Sequence, residues 1–558
     1  MVNQKEIESF WVAMHHKSLN FTSIYALERI LSTSLGPKGL DKVIIDAQLR
    51  ETTITNDGAT ILSCLPLEHP LAIILKQLAQ AIDTKIGDGT TSAVLLACRL
   101  IASADRLILV SKLHPNTIIT GYQLALDHCN IWLERASQSI ATSTTTSTTT
   151  TAWLSQIAST SMSSKILANY SSQFSALCVR ATHIIGHDHL VHDNLAAVKY
   201  LKIQAGSIAD SYLVHGTVIS GRFASPKMKK LVTGANLVLL DFELGYISND
   251  LSGANIDVSL SLQLRESIEN EQREIETRQA QQIIDNLMRL KAIGDNSIIN
   301  LNGYIVVSTK RVSSGCLALL MKHGINVLTS ISSQDMDNVV KVSNGFLLRT
   351  PALETKDRYS VVVSQCREFV EKDGRVYIEL INDTPANHLC TLVLRGPNMY
   401  TIDEVQRSLN DSLSVMALAM ESPVIVAGGG ATEVGLWCHL QTMATQQPDI
   451  KLAKTISMFA ESLLSIPLHL FRNAGFDSLQ LLAQVKALHQ TQVSSNPYPY
   501  RNHCINLSNG QVADMVELGV IESLRSKKQL MAMVINTVSM LIRVDQCLID
   551  SRAQDNHS

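Results

Sequence analysis

The chain has 558 residues, too many for a single hydrophobic core, and this length predicts three or four domains. Hydrophobic residues make up 46% of it and its formal net charge is -3, which excludes a disordered chain and argues against a nucleic-acid partner. Because no apolar run reaches about 18 residues, no leader pattern opens the chain and the ten cysteines form no CxxC pair, we expect a cytoplasmic protein with free thiols and no membrane partner.

The first third of the chain is predicted to be mainly helical. Apolar residues recur at helical spacing in four segments, which are Tyr25–Leu35, Leu71–Ile82, Ala93–Leu109 and Thr117–Leu133. The run that follows, Ser137 to Trp153, is rich in serine and threonine and has no apolar periodicity. It is predicted to be a solvated loop or insertion, and the alternative is a regulatory tether that carries modifications.

The middle of the chain is predicted to contain strands. Short β-branched runs are separated there by Gly, Asn and Ser; they are "HGTVISG", "ANLVLLDFEL", "NGYIVVST", "INVLTSIS" and "YSVVVSQ". A long polar helix is predicted from Leu262 to Leu290, with an apolar stripe wide enough to pack only in its C-terminal half. From Thr401 the pattern is helical again. Helix-rich ends around a strand-rich centre predict that one domain is inserted into another, so that both termini build one body.

Two glycine-rich clusters near the N-terminus mark sharp turns. "SLGPKGLDK", Ser34 to Lys42, either ends a helix or presents backbone N–H groups to an anion, and it lacks the GxxxxGK[ST] spacing of a Walker A loop. "ITNDGATIL", Ile54 to Leu62, contains a strong turn signal. Asp57 within it is therefore either an ordinary turn residue or a positioned carboxylate.

The third cluster is "IGDGTTSAVLLA", Ile86 to Ala97. Its two glycines permit close approach of a ligand, and the Thr-Thr-Ser that follows begins a helix whose free N–H groups and dipole favour an anion. Asp88 repels a phosphate directly, but beside a phosphate it can bind Mg²⁺, which prefers one or two carboxylates together with phosphate oxygens. An equally weighted alternative is that Asp88 is an ordinary helix N-cap.

The fourth cluster, "VIVAGGGATEVGL", combines a strand, three glycines and a helix start. It can let a nucleotide lie on the backbone, or it can simply allow close helix packing. A further carboxylate, Asp411, lies off the apolar stripe of a predicted helix and one turn after Arg407. It is either a solvated partner of Arg407, or a general base that orients water for attack on a γ-phosphate.

The order and spacing of these clusters are together more specific than any one of them. "SLGPKGLDK", "TNDGATIL", "GDGTTSAVLLA", "HPNTIITGYQLA", "TSMSSKI", "DEVQRSLNDSL", "GGGATE" and "NAGFD" occur in the order of the group II chaperonins, and the resemblance covers about residues 20 to 548. The phrases "EHPLAIILKQLA", "LVLLDFEL" and "LRESIENEQREIE" further resemble one subunit type of the eukaryotic cytosolic chaperonin ring.

The resemblance implies a multidomain α and α/β chaperonin fold with a helical equatorial ATPase domain, a small intermediate domain and an α/β apical domain with a helical protrusion. In chain order these are an equatorial part (1–143), an intermediate part (144–206), the apical domain (207–366, with a lid protrusion at about 244–275), a second intermediate part (367–402) and a second equatorial part (403–558). The exposed half of the predicted long helix fits the protrusion.

The resemblance also implies an ATPase that uses Mg²⁺. Asp88 would bind Mg²⁺, while Asp57 and Asp411 would orient and activate the attacking water. The residues expected to contact the nucleotide are Gly36, Pro37, Gly39, Gly89, Thr90, Thr91 and Ser92 at the phosphates, with Gly429, Glu522 and Lys527 at the nucleoside.

The implied function is an ATP-driven folding machine, in which ATP binding and hydrolysis close an apical lid over non-native protein. Its partners would be related subunits, eight to each ring of a hetero-oligomeric double ring, and non-native clients such as cytoskeletal proteins. The alternative is a catalytically weak structural subunit or a chaperonin-like assembly factor, which loss of Asp88 or Asp411 would have favoured. A small-molecule phosphotransferase is disfavoured because no Walker A motif appears.

Several positions depart from the family pattern. Ala427 replaces the usual proline before the three glycines, and the family's "GVxEPxxVK" appears as "GVIESLRSK", with Ser523 and Ser526 in place of Pro and Val. We expect these departures to affect turnover and client contacts more than the fold.

Overall fold

The computed structural model of the chain describes residues 11–13, 17–45, 52–139, 147–186, 197–245, 270, 273–274, 276–288, 303–350, 361–371, 374–384, 387–491, 499–544 and 548–550. The chain forms two compact units. The first unit takes Met1–Thr182 and Met399–Ser558, from both ends of the chain, and the second takes His183–Asn398.

The helices and strands alternate along the chain in groups. The α-helices are, in chain order, α1 (Lys17–Ser32), α2 (Gly58–Cys64), α3 (Pro70–Lys85), α4 (Thr90–Leu109), α5 (Pro115–Ala136), α6 (Ser147–Met162), α7 (Ser171–Ile185), α8 (residues 276–288), α9 (Ser314–Lys322), α10 (Ser333–Ser343), α11 (Met399–Glu421), α12 (Ala431–Gln446), α13 (Ile450–Leu463), α14 (Ser465–Asn473), α15 (Ser478–Gln490) and α16 (Leu524–Ile542).

The strands are, in the same order, β1 (Trp11–Ala13), β2 (Lys42–Ile45), β3 (Thr52–Thr55), β4 (Gln138–Ser139), β5 (Val198–Ile203), β6 (Tyr212–Val214), β7 (Gly216–Ser220), β8 (Leu231–Leu240), β9 (Tyr304–Ser308), β10 (Asn326–Leu328), β11 (Leu347–Leu348), β12 (Val361–Val370), β13 (Val376–Ile381), β14 (Cys390–Arg395), β15 (Val424–Ala427), β16 (His503–Asn506), β17 (Gln511–Asp514), β18 (Ile521–Ser523) and β19 (Leu548–Asp550).

The first unit is a helical body built around α4, which packs against α1, α3, α13 and α16. The sequence of α4 is apolar on nearly every side, and a helix of that composition is stable only when it is surrounded by other elements. Arg99 of this helix, whose side chain is 40% exposed, forms an ion pair with the buried Glu28 of α1 at 2.7 Å. The four helices predicted in the first third of the chain are confirmed as α1, α3, α4 and α5.

A small antiparallel sheet in the first unit brings distant segments together. Its strand order is β18-β15-β4, with Ala427 opposite Ile521 and Val426 opposite Glu522. The glycine-rich segment that follows β15 therefore lies beside the beginning of β18, although the two are far apart in the sequence.

The structure corrects the prediction of a loop for Ser137–Trp153. Gln138–Ser139 form β4, residues 147–153 form the first turns of α6, and residues 140–146 lie outside the described residues. The buried apolar residues of α6 are Trp153, Leu154, Ile157, Ala158 and Met162. Because α6 packs these residues in the first unit, partly against α11, tertiary contacts extend the helix into a threonine-rich sequence of low intrinsic helix propensity.

The second unit is built on a seven-stranded mixed sheet in the order β10-β9-β8-β12-β13-β7, with β11 also paired to β8. The strands predicted in the middle of the chain are confirmed as β7, β8, β9, β10 and β12. The apolar residues Ala280, Ile283, Ile284 and Leu287 of α8 join the core beside this sheet, as predicted for the C-terminal half of the long helix. Most of the first half, and nearly all of the predicted protrusion at 244–275, lie outside the described residues.

A smaller sheet in the second unit has the order β5-β14-β6. Within the described part of the chain, no helix is both long enough and apolar enough to cross a membrane. The nine cysteines placed there are all free thiols, as predicted.

Candidate active site

A cavity of about 430 Å³ lies within the first unit, and residues of all four glycine-rich clusters line it. The predicted site residues found in its wall are Gly36, Pro37, Asp57, Asp88, Gly89, Thr90, Thr91, Ser92, Gly429, Glu522 and Lys527. Gly39 is not in the wall. It closes the preceding turn by donating its N–H to the carbonyl of Gly36 at 2.8 Å. Asp411 is not in the wall either, but it forms an ion pair with Lys165, which does line the cavity.

Three of the helices that begin at this cavity have no side-chain cap. The N-cap of α4 is Gly89 at a φ of 81°, that of α12 is Gly430 at a φ of 90°, and that of α16 is Ser523. Their first backbone N–H groups are therefore not used by capping side chains, and the positive ends of three helix dipoles meet at one space. This arrangement favours an anionic ligand.

Asp88 is not the N-cap of α4, so that alternative is wrong. The cap position belongs to Gly89, whose N–H donates to Oδ1 of Asp88 at 2.6 Å. A Cβ at Gly89 would lie 2.8 Å from Cδ1 of Leu530, and one at Gly87 would lie 2.3 Å from Cβ of Ser414. Both glycines also have positive φ. Because a side chain at either position would be strained and would collide with α11 or α16, only glycine allows the start of α4 to lie this close to both helices.

Asp57 is both a helix cap and a positioned carboxylate. Its Oδ2 accepts hydrogen bonds from the N–H and the hydroxyl of Thr60, each at 2.8 Å, and so caps α2. Its Oδ1 accepts from the hydroxyl of Thr90 at 2.9 Å, which fixes the first residue of α4. Burial alone would raise the pKa of Asp57, but the Lys165 ammonium and these hydrogen bonds outweigh it and lower the pKa. Asp57 therefore stays ionised.

Asp411 forms a buried ion pair with Lys165, through its Oδ2 and the Nζ of the lysine. Each residue is only 8% exposed, and Lys165 lines the cavity. Arg407 pairs instead with Glu404 at 2.7 Å, so the predicted alternative of a solvated Arg407–Asp411 pair is wrong.

The environment of this pair raises the pKa of both residues. Burial raises the pKa of Asp411, and the nearby carboxylates of Asp57 and Asp88 add to this effect against the opposing charge of Lys165. Burial alone would lower the pKa of Lys165, but the three carboxylates outweigh it and raise the pKa. One ammonium group thus stands among three carboxylates at the wall of the cavity.

The residue-by-residue predictions missed Lys165 and the segment that carries it. The end of α6 and the turn after it line the cavity with Ser159, Thr160, Ser161, Ser163 and Ser164. This segment is tied in place because Asn56 donates its side-chain amide to the carbonyl of Ser164. The quoted phrase "TSMSSKI" contained the signal, since it ends on a lysine directly after these small polar residues.

Lys527 stands between two carboxylates at another part of the wall. Its Nζ lies 2.5 Å from Oε1 of Glu433 and 2.8 Å from Oε2 of Glu522. Burial alone would lower the pKa of Lys527, but the two carboxylates outweigh it and raise the pKa. Glu433 was also missed, although the quoted motif "GGGATE" ends on it. Apolar side chains also line the cavity, among them Ile505, Leu507, Met515, Leu518 and Val520.

The residues present fit a magnesium ion that is bound together with phosphate. Among the described residues, no cluster of three or more His, Cys, Asp or Glu side chains is placed to hold a metal ion. Asp88 offers one carboxylate at the uncapped start of α4. A single carboxylate suits Mg²⁺ when phosphate oxygens supply further ligands, and the helix start is where phosphate would be favoured.

Comparison with known proteins gives matches over nearly the whole chain. The sequence profile of the TCP-1/cpn60 chaperonin family matches residues 27–552. T-complex protein 1 subunit alpha of Arabidopsis thaliana is 31% identical over 541 residues, which cover 95% of this chain and 94% of that protein. The same subunit of Tetrahymena pyriformis is 32% identical over 546 residues, with coverages of 95% and 94%.

A relative with a different name is similar over almost the same length. Thermosome subunit alpha of Sulfolobus acidocaldarius is 31% identical over 541 residues, which cover 95% of this chain and 91% of that protein. The predicted resemblance is confirmed, and the subunit type that the sequence phrases resembled is the alpha subunit.

Proposed function

Because this chain belongs to the TCP-1/cpn60 chaperonin family and is a group II chaperonin subunit, we propose that it binds and hydrolyses magnesium-ATP in the cytosol to drive protein folding. One observation carries the proposal. Three uncapped helix starts, the carboxylates of Asp57 and Asp88, and the Lys165–Asp411 pair meet at a single cavity in the first unit.

The phosphates of the nucleotide would lie at the start of α4. The N–H groups of Thr90, Thr91 and Ser92 and the hydroxyls of Thr91 and Ser92 would donate to phosphate oxygens, in keeping with their place in the cavity wall. Asp88 would hold Mg²⁺ there, and the ion would neutralise charge on the phosphate oxygens. Gly36 and Pro37 would approach the phosphates from the turn after α1.

Hydrolysis would use the two remaining aspartates in different roles. Asp57 remains ionised and is held by Thr60 and Thr90, so it can orient a water molecule. Asp411 has a raised pKa, which suits a group that must take the proton of that water as its oxygen attacks the γ-phosphorus, while the bond from this phosphorus to the β,γ-bridging oxygen breaks and ADP leaves. In this structure its carboxylate is engaged by Lys165. A γ-phosphate that draws the ammonium of Lys165 towards itself would leave Asp411 available as the base.

The same pair offers a route from the nucleotide to the rest of the chain. The chain leaves the first unit at Thr182, shortly after Lys165, and returns at Met399 in the helix that carries Asp411. A change in the Lys165–Asp411 pair would therefore act on both connections to the second unit. We propose that it moves an apical domain at 207–366, through intermediate segments at 144–206 and 367–402, and closes a lid over non-native protein.

Replacing Asp88 with asparagine is expected to weaken binding of magnesium-ATP about 10-fold, because the amide oxygen is a poorer ligand for Mg²⁺ than a carboxylate. Isothermal titration at several Mg²⁺ concentrations measures this, and the difference from the unsubstituted chain should vanish in EDTA. Asp127→Asn on α5, outside the cavity wall, is the control and should leave binding unchanged. An unaltered Mg²⁺ dependence in Asp88→Asn would remove this residue from the metal site.

Images of the native particle test the proposed assembly. We expect a double ring in which this chain occupies one position among several distinct subunits, eight to each ring. Electron microscopy of the complex purified through a tag on this chain measures it. A stable monomer would contradict the assembly.

A further inference from the structure

One side chain joins the end of α14 to the end of α1. The amide nitrogen of Asn473, the last residue of α14, donates hydrogen bonds to the carbonyl oxygens of Ser32 and Leu35, both at 2.8 Å. Ser32 is the last residue of α1, so its carbonyl has no partner within that helix. A single amide group thus satisfies two main-chain acceptors that lie 441 and 438 positions away in the sequence.

The bond to Leu35 also fixes the direction of the next N–H group, that of Gly36. The carbonyl of Leu35 and the N–H of Gly36 belong to one planar trans peptide unit, so they point in opposite directions. Holding the oxygen of Leu35 against Asn473 therefore turns the N–H of Gly36 away from Asn473. Because Gly36 lines the cavity, its N–H is one of the donors that a bound anion could meet.

The residues around Gly36 form a compact loop. The N–H of Leu40 donates to the carbonyl of Thr33 at 2.9 Å, and the hydroxyl of Ser34 donates to the carbonyl of Leu40 at 3.0 Å. These bonds shape the loop, but they begin and end within residues 33–40. They do not determine where the loop stands relative to the rest of the cavity wall, whereas the bonds from Asn473 connect it to α14.

α14 also packs directly against two of the glycine-rich clusters. A Cβ at Gly36 would lie 2.3 Å from Cδ2 of Leu470, and a Cβ at Gly430 would lie 2.9 Å from Cβ of Pro467. Both glycines line the cavity, and so does Leu470. One helix therefore touches the loop after α1 and the start of α12, and it sets the spacing between these two parts of the cavity wall.

Asn473 begins the motif "NAGFD", to which the proposed site gives no role. Two residues of the motif are explained by the turn between α14 and α15. Gly475 has a φ of 83°, and Asp477 caps α15 by accepting from the N–H of Leu479. The amide of Asn473 instead bonds to a distant segment, so the turn does not account for it.

We propose that Asn473 is a positioning residue, which orients the N–H of Gly36 towards a phosphate oxygen of the nucleotide. The inference rests on the proposed nucleotide site and assigns its alignment to α14. A hydrogen bond weakens steeply when its angle is poor, so a misdirected N–H contributes little to the binding of an anion. Asn473 lies outside the cavity wall, so its replacement removes no contact with the ligand itself.

The test replaces Asn473 with alanine in the full-length chain. Isothermal titration is expected to show about 10-fold weaker binding of Mg-ADP, because a well-directed hydrogen bond to a charged group contributes a factor of this order. Hydrogen–deuterium exchange without nucleotide, followed by mass spectrometry, is expected to be about 10-fold faster in residues 33–40. Exchange in residues 90–97, at the start of α4, should stay unchanged.

Asn326→Ala is the matched control. The side-chain amide of Asn326 also donates to a main-chain carbonyl at 2.8 Å, that of Lys229, but both residues belong to the second unit. This variant loses the same kind of hydrogen bond. It should leave the affinity for Mg-ADP and the exchange of residues 33–40 unchanged.

The outcomes separate this inference from the proposed function. If neither Mg-ADP nor Mg-ATP binds to the unsubstituted chain, the proposed function fails and the inference fails with it. If Mg-ADP binds equally well to the unsubstituted chain and to Asn473→Ala, the inference alone is overturned. It is also overturned if exchange rises equally throughout the first unit, since that is the signature of a merely structural role.

Asn473→Ser is the second variant, and it decides the question if Asn473→Ala does not fold. Its shorter side chain can hold a water molecule against the two carbonyls, which keeps them hydrogen-bonded but no longer tied directly to α14. The same loss of Mg-ADP affinity and the same local rise in exchange are expected. Full affinity in this variant would overturn the inference.

Discussion

Replacing Asp411 with asparagine is expected to lower the rate of ATP hydrolysis at least about 100-fold, because a general base contributes a factor of this order or more. The affinity for nucleotide should change little, since Asp411 does not line the cavity. Phosphate release at saturating Mg-ATP measures the first effect, and isothermal titration with Mg-ADP measures the second. Both measurements are made on assembled rings, and the ring that carries the Asp411→Asn chain is compared with the ring that carries the unsubstituted chain.

The pH dependence gives a second readout of the same role. The base must be ionised to accept a proton, and burial raises the pKa of Asp411 above its ordinary value. Hydrolysis by the unsubstituted chain should therefore fall as the pH is lowered through that raised pKa. The acidic limb should be absent from the residual rate of Asp411→Asn.

A matched control lies on the same helix. Asp403 lies two turns before Asp411 on α11, outside the cavity wall. The Asp403→Asn variant should therefore hydrolyse ATP at the same rate as the unsubstituted chain. If Asp411→Asn instead leaves the rate unchanged, the chain acts as a catalytically weak structural subunit, and the enzymatic proposal fails at this residue.

The parts of the fold that could be predicted are those in which local sequence and tertiary structure agree. The run from Ala93 to Leu109 is helical by its own periodicity and also buried on nearly every side, so α4 was predicted close to its observed limits. The glycine clusters were predicted as turns, and their order along the chain indicated the family. Neither feature required knowledge of which distant segments touch.

The parts that could not be predicted depend on long-range contacts. Lys165 meets Asp411 across 246 positions of sequence, and the chain contains 47 lysines and arginines, any of which is chemically able to pair with a buried carboxylate. Glu433 was overlooked because an acidic residue in the first turn of a helix is common and needs no special role. The threonines before Trp153 adopt a helix only because the apolar residues after them pack in the first unit.

Replacing Lys165 with methionine is expected to destabilise the nucleotide-free chain by about 3–5 kcal/mol, the usual cost of leaving a buried charge without its partner. The ammonium that opposes the rise in the pKa of Asp411 is then gone, so this pKa rises further above its value in the unfolded chain. A carboxyl group whose pKa is raised by folding contributes stability at low pH and loses it as the pH rises through the folded pKa. The destabilisation should therefore be larger at pH 8 than at pH 6, as measured by the midpoint of urea denaturation.

A second substitution tests whether the two residues act as a unit. Lys165→Met combined with Asp411→Leu removes both charges, and such apolar replacements of buried ion pairs are often neutral or stabilising, so the double variant should recover most of the lost stability. Lys528→Met is the surface control. It breaks a 2.6 Å ion pair with Glu134, whose side chain is 65% exposed, and should leave the midpoint of urea denaturation nearly unchanged. Equal midpoints for the single and double variants would mean that Lys165 does not compensate the charge of Asp411. A γ-phosphate would then have no ion pair to break, and the proposed release of the base on nucleotide binding would lose its physical basis.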